Sequence, residues 1–258
     1  VTPAAAGFVD KWLDREPWHR LLLLFQPPPR RDLVALVEAI GHELRSAALS
    51  ASDPRVGAGK LGWWAQEMDR WPGGGASHPL VLALKQRDDA AADAGALGAW
   101  VSAAADLAHD EPAPDLAALL RPWLAFTRAQ AAAFDLGGPS DGRAHALSLL
   151  AERLPLARLA LAQGRLPVPL ASLAAHGASR ASLASEPRVL DAVLREHAVE
   201  LHRDLADSDA GNRYRRGQAA LARLRLHRIA RGRTGADRLV ALPPLRSALV
   251  VWRASSGP

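Results

Sequence analysis

Apolar residues recur at helical spacing along nearly the whole chain, and no segment alternates persuasively in the two-residue rhythm of a strand. Between Arg31 and Leu49, the residues Leu33, Leu36, Val37, Ile40 and Leu44 form one stripe. The preceding Pro27-Pro28-Pro29 cannot continue a helix from upstream, so it punctuates. A second helix is predicted from about Gly59 to Trp71, stopped by Pro72-Gly73-Gly74-Gly75. A third opens at His78-Pro79, where proline suits a first turn, and carries Leu80, Val81, Leu82 and Leu84. The same pattern predicts helices over residues 94–109, 115–135, 141–162, 187–207 and 212–232, with a shorter one at 236–252. Gly137-Gly138-Pro139 and Asp209-Ala210-Gly211-Asn212 separate neighbours among them. The breaks are short and no fixed-period repeat occurs, so the expectation is one all-α domain over 1–258 with short flexible termini.

Composition narrows the class. With 258 residues, 49% of them hydrophobic, the chain can bury a sizeable core and is too apolar for a disordered segment. Its longest apolar run, Leu21 to Phe25, falls far short of the ~20 residues that a membrane span needs. Val1 to Asp10 has neither the cationic flank nor the apolar core of a secretory signal, so a soluble cytoplasmic protein is expected. The absence of cysteine excludes disulfides, cysteine-based zinc and iron–sulfur sites, and thiol catalysis. All but three of the 32 basic residues are arginine, the bias of a GC-rich, bacterial type of coding DNA. A formal net charge of +5 admits an anionic partner such as a membrane surface, a nucleic acid or a diphosphate, without choosing between them.

Few local motifs carry chemistry. The nine histidines are scattered, and none shows the spacing of a metalloprotease helix. Gly73-Gly74-Gly75 lacks the Lys-Ser or Lys-Thr of a phosphate loop, and Asp207-x-Asp209 fails as a calcium loop at Asn212 and Gln218. Two acidic pairs at spacing four, Asp89/Asp93 and Asp106/Asp110, would put two carboxylates on one helix face, where Mg²⁺ can bridge them to a diphosphate. Finally, Arg213, Arg215, Arg216, Arg223, Arg225, Arg228, Arg231 and Arg233 crowd one helix that also carries Leu221, Leu224 and Ile229. That composition reads either as a packed helix with a solvated arginine face or as a basic face for an anionic bilayer. Nucleic acid is the weaker partner, because no aromatics are interleaved to stack on bases.

Several segments, taken in order, resemble the squalene/phytoene synthase family. Phe25 to Glu43, FQPPPRRDLVALVEAIGHE, resembles the proline turn, arginine and helix that lead into the family's first Asp-rich motif. Lys60 to Met68, KLGWWAQEM, is similar to its Trp-Trp helix, and HPLVLAL from His78 to its next element. Gly164 to Pro169, GRLPVP, followed by LASLAAHGAS, resembles the turn after the second Asp-rich motif. The resemblance implies an all-α isoprenoid (terpenoid) synthase-like helical bundle around a central cavity. Active members couple prenyl diphosphates, using Mg²⁺ held by the two Asp-rich motifs to draw the diphosphate away.

The sequence departs from the family where that chemistry resides. The first motif's acidic positions fall at Arg45, Ser46 and Leu49, and the second on Leu156 to Ala160; Leu154 to Gln163 contains no Asp or Glu. Arg30 or Arg31 matches the family arginine before the first motif, and Arg165 matches the one in the turn, so these three are the candidate diphosphate-binding residues. The resemblance then implies a catalytically silent relative acting as a scaffold, assembly or regulatory binding module, with no cofactor and no catalytic or metal residue. One alternative is an active Mg-dependent prenyltransferase drawing on Asp106 and Asp110. Another is a non-catalytic binder of polyprenyl lipid or diphosphate. A protein partner, a prenyl ligand or peripheral contact with a membrane surface would suit these readings, and specific nucleic acid would not.

Overall fold

A computed structural model describes residues 2–51, 53–87, 90, 92–109, 111–134, 136, 142–232 and 242–256. All regular structure among them is helical. Six of these helices open on proline, which lacks the N–H that a first turn leaves unpaired and has the φ that a helix requires. The chain divides into two compact units, the first formed by Val1–His109, Ala125–Ser140 and Gly211–Tyr214, the second by Asp110–Leu124, Asp141–Ala210 and Arg215–Pro258.

The first unit holds α1 (Pro3–Arg15), α2 (Trp18–Leu24), α3 (Pro28–Leu49), α4 (Pro54–Asp69), α5 (Pro79–Lys85), α6 (Ala94–Asp106) and, from Ala125 onward, the end of α7 (Leu116–Ala133). α3 is its axis, packed against α1, α2, α4, α5 and α6. From Leu33 to His42 every residue of α3 is buried, so the helix has no solvated face there and must satisfy Glu38 and His42 internally. Trp100 crosses Phe126 and Phe134 at 5.8 and 6.0 Å between ring centres, filling the space beside α3. Glu67 of α4, fully buried, accepts the backbone N–H groups of Ser77 and His78 and so fixes the entry to α5. His78 is the N-cap of α5, its Nδ1 accepting from the Leu80 N–H at 3.2 Å, and its ring packs on Phe8 and Trp64.

The second unit holds α8 (Arg143–Arg153), a 3-10 turn (Leu154–Leu156), α9 (Ala157–Ala162), α10 (Leu170–Ala175), α11 (Arg180–Ser185), α12 (Pro187–Ala206), α13 (Arg213–Ala230, in this unit from Arg215) and α14 (Pro244–Ser256). α12 packs against α8, α10 and α11. The single helix expected over 141–162 is interrupted, because Pro155 removes a backbone donor and the chain tightens into the 3-10 turn there. Gly164 closes α9 at φ +82°, and the two bonds of a Schellman motif follow, Arg165 N–H to Ala160 C=O and Gly164 N–H to Leu161 C=O.

α13 corrects the reading of a solvated basic face. Arg215 and Arg225 are buried and Arg216, Arg223 and Arg228 half-buried, leaving Arg213 and Arg231 exposed; Arg233 lies outside the described residues. Three of the buried and half-buried guanidiniums, those of Arg215, Arg216 and Arg223, are used internally. Arg223 Nη2 donates to Leu205 and Ala206 C=O at 2.6 and 3.3 Å, closing the end of α12. Arg216 Nε donates to Ala254 C=O at 3.1 Å, in the last turn of α14. Arg215 Nη1 bonds His145 Nε2 and Gln218 Oε1 at 2.8 and 2.9 Å. Two of these arginines, Arg216 and Arg223, thus meet carbonyls that neighbouring helix ends expose towards α13.

Candidate functional site

The densest polar centre of the first unit forms where α1 ends and α3 passes. Glu16, the C-cap of α1, accepts Trp12 Nε1 at 2.9 Å and His42 Nδ1 at 3.0 Å, with His19 Nε2 at 3.2 Å. Arg45 Nη2 lies 3.5 Å from the same carboxylate, and the guanidinium stands 5.9 Å from the centre of the Phe126 ring. An ionised carboxylate only accepts, so His19 carries a proton on Nε2, and its Nδ1 stands 2.5 Å from the Tyr214 hydroxyl. Burial pushes the Glu16 carboxyl up, but the Arg45 charge and the hydrogen bonds from His19 and His42 outweigh it and hold the group well below its usual value. Tyr214, His19 and Arg45 are each more than nine-tenths buried.

Two turns earlier on α3, the buried Glu38 accepts Gln130 Nε2 at 3.0 Å. Gly41 permits this approach: a Cβ there would stand 3.3 Å from both Arg45 Nη1 and the Trp100 ring. Neither terminal nitrogen of Arg45, nor Trp100 Nε1, makes a hydrogen bond among the described residues. The centre is therefore rich in buried donors, and its Glu16 carboxylate already faces three hydrogen-bond donors and the Arg45 charge.

Arg45 is also the residue at the first position where the resemblance would place a metal-binding carboxylate; Ser46 beside it is half-buried and Leu49 buried. The stretch from Leu154 to Gln163, which forms the 3-10 turn and α9, offers no carboxylate either. Neither stretch fits Mg²⁺, which requires oxygen ligands. Of the spaced acidic pairs, Asp93 caps α6 by accepting the Ala96 N–H at 2.8 Å, which gives it a structural task. Asp106 lies exposed at the end of α6, 3.8 Å from His109 Nδ1. Asp89 and Asp110 lie outside the described residues.

The candidate anion-binding arginines sit at helix boundaries. Arg30 and Arg31 occupy the first turn of α3, both half-buried. Arg31 Nε donates to Leu23 C=O at 3.0 Å and its Nη2 to Leu24 and Gln26 C=O at 3.4 Å, closing α2. Arg165, half-buried in the second unit, follows the Gly164 cap. The second unit also holds a pocket of about 250 Å³ between α9, α11 and α12, lined by Leu161, Leu183, Pro187 and Leu190 with Arg158. Glu16, His19 and Tyr214 are not evident from the sequence, since only the fold brings them together; the one local signal is the pairing of a charged residue with Trp12 at helical spacing four.

The chain matches no protein-family model and no curated protein. No helix among the described residues is long and apolar enough to cross a membrane. Among solved structures it is similar to a dehydrosqualene synthase crystallised in complex with ligand, with a TM-score of 0.74 over 98% of this chain and 95% of that one, at 11% sequence identity. The chain thus has the all-α, isoprenoid-synthase-like fold that its ordered segments resemble.

Proposed function

We propose that this chain is a squalene/phytoene synthase-like protein, one domain over 1–258, that has lost prenyl-coupling activity and serves as a scaffold, assembly or regulatory binding module. Arg45 carries the reading. A departing diphosphate needs its developing charge neutralised, and in the family Mg²⁺ on carboxylates does this. Here the corresponding position of α3 bears a buried cation committed to Glu16 and Phe126, and that acid already faces three hydrogen-bond donors besides this cation. A cation there repels Mg²⁺ instead of holding it. The likeness to a dehydrosqualene synthase supports the fold side of this reading.

The test is pyrophosphate release from farnesyl or geranylgeranyl diphosphate by the purified chain with Mg²⁺. The expected result is release no faster than the protein-free background. Turnover above background that Asp106→Asn abolishes would overturn the reading in favour of a Mg-dependent prenyltransferase built on Asp106 and Asp110. The pocket beside Arg158 favours a second reading, in which the chain binds a prenyl diphosphate without turning it over. That reading expects a saturable rise in melting temperature with the prenyl diphosphate, weakened by Arg30→Ala or Arg165→Ala.

A further inference from the structure

Among the described residues of the second unit, three exposed large apolar side chains share one face of α14. In α14 the packed side is small, with Ser247, Val251 and Ser255 buried at spacing four. Its opposite side is large and apolar: Leu245 is 89% exposed, Leu249 43% and Trp252 53%. Spacings of four and three put these three on one face. Amphipathic surface helices of globular proteins turn their apolar face inward, so this helix is inverted. Arg246 and Arg253, seven residues apart, flank the stripe on one edge, both exposed and without a hydrogen-bond or ion-pair partner among the described residues. α14 contains no acidic residue.

We propose that α14 docks the protein on an anionic lipid surface, lying in the plane of the interface with Leu245, Leu249 and Trp252 in the acyl boundary and Arg246 and Arg253 on lipid phosphates. Charge selects this occupant. Two copies facing each other across α14 would bring arginines together with no carboxylate on the helix to offset them, whereas an anionic bilayer supplies phosphate to every guanidinium. The side chains suit the depth as well. Tryptophan favours the boundary between headgroup and acyl chain, and arginine can lay its stem on apolar surface while its head reaches water or phosphate. Thirteen residues rise only about 20 Å against a hydrocarbon core of about 30 Å, so the helix lies on the bilayer and does not cross it. The basic helix α13 is not the docking surface, because most of its described guanidiniums are buried or half-buried. The proposal stands independently of whether the protein binds or converts a prenyl diphosphate.

Flotation of the purified full chain with vesicles provides the test, comparing phosphatidylcholine alone with an equal mixture of phosphatidylcholine and phosphatidylglycerol. The chain should float with the mixed vesicles, bind phosphatidylcholine at least about tenfold more weakly, and come off as salt is raised to about 0.5 M. Leu249→Glu and Trp252→Glu, both at exposed positions, should each weaken binding about tenfold or more while leaving the melting temperature unchanged. Leu24→Glu, at an exposed apolar position in the first unit, should leave binding unchanged. Trp252→Phe should keep binding but lose part of the blue shift in tryptophan emission that the vesicles produce. The proposal is overturned if the wild-type chain does not float, or if the α14 variants float as it does. It is equally overturned if Leu249→Glu abolishes self-association seen by light scattering, or binding to poly-L-glutamate, in a chain that ignores vesicles.

Discussion

Replacing Glu16 with Gln removes one negative charge from a centre where three hydrogen-bond donors and the Arg45 cation converge. At 3.5 Å and an effective dielectric constant of about 20, the Glu16–Arg45 attraction is about 5 kcal/mol before desolvation is subtracted. Removing one member of a buried pair costs about 3–5 kcal/mol, chiefly because the other charge is left buried, and Arg45 is only 6% exposed. Glu16 itself is 24% exposed, so water can reach the vacated position and the lower end applies, about 3 kcal/mol. For a chain of this length that corresponds to a fall of about 6–12 °C in melting temperature, read by calorimetry or circular dichroism. A double-mutant cycle with Arg45→Met isolates the pair, and the coupling should exceed about 1.5 kcal/mol. Acid supplies a second arm. The folded carboxyl lies below its ordinary value of 4.5, so its contribution is complete above that pH and fades as pH falls through the folded value. The gap between wild type and Glu16→Gln should therefore close on acidification. A coupling near zero, or a gap that persists unchanged in acid, would refute the reasoning.

Three further substitutions have expected outcomes. Burial lowers the His78 pKa below its ordinary 6.5, so the stability due to its neutral form is complete above pH 6.5 and is lost as pH falls below it. His78→Asn keeps a capping acceptor without the titration, and melting temperatures from pH 7 to pH 5 should fall less steeply; an identical slope would count against the assignment. Gly164→Ala should cost about 1–2 kcal/mol, since φ is +82° there. Gly59→Ala, at a helical position of α4 with nothing within 4 Å of the added Cβ, should instead stabilise by about 0.5–1 kcal/mol, and denaturant midpoints that failed to move in opposite directions would contradict both assignments.

Long amphipathic stretches are legible in the sequence because many turns repeat one period. The helix expected over 187–207 runs from Pro187 to Ala206, and the break expected at Asp209–Asn212 precedes α13. α1 and α2 are not among the helices expected from the pattern, although Ala5, Val9, Trp12 and Leu13 of α1 are buried at helical spacing. The short helices α10 and α11 escape it because six residues hold too few turns to establish a period. The break inside 141–162 does have a local cause in Pro155, whose effect on the backbone outweighs the continuing leucine periodicity. At the site, the ordered motifs single out Arg45 but not its partners. Glu16 lies 29 positions earlier in the chain and Phe126 81 later, and no local pattern encodes such a meeting. The fate of the α13 arginines is hidden for the same reason, since whether a guanidinium faces water depends on which helix ends arrive beside it.

Those helix ends place a condition on how the segment can change. One nitrogen of Arg223 spans two successive carbonyls, and Arg216 reaches across to a different helix through Nε. Lysine would preserve the charge at both positions, yet it offers a single ammonium on a flexible stem and has no counterpart to the side nitrogen. A bias towards arginine codons is neutral at most surface positions, but in α13 it coincides with a shape that the neighbouring helices have come to require. A lineage drifting towards lysine would have to rebuild the ends of α12 and α14 before α13 could follow.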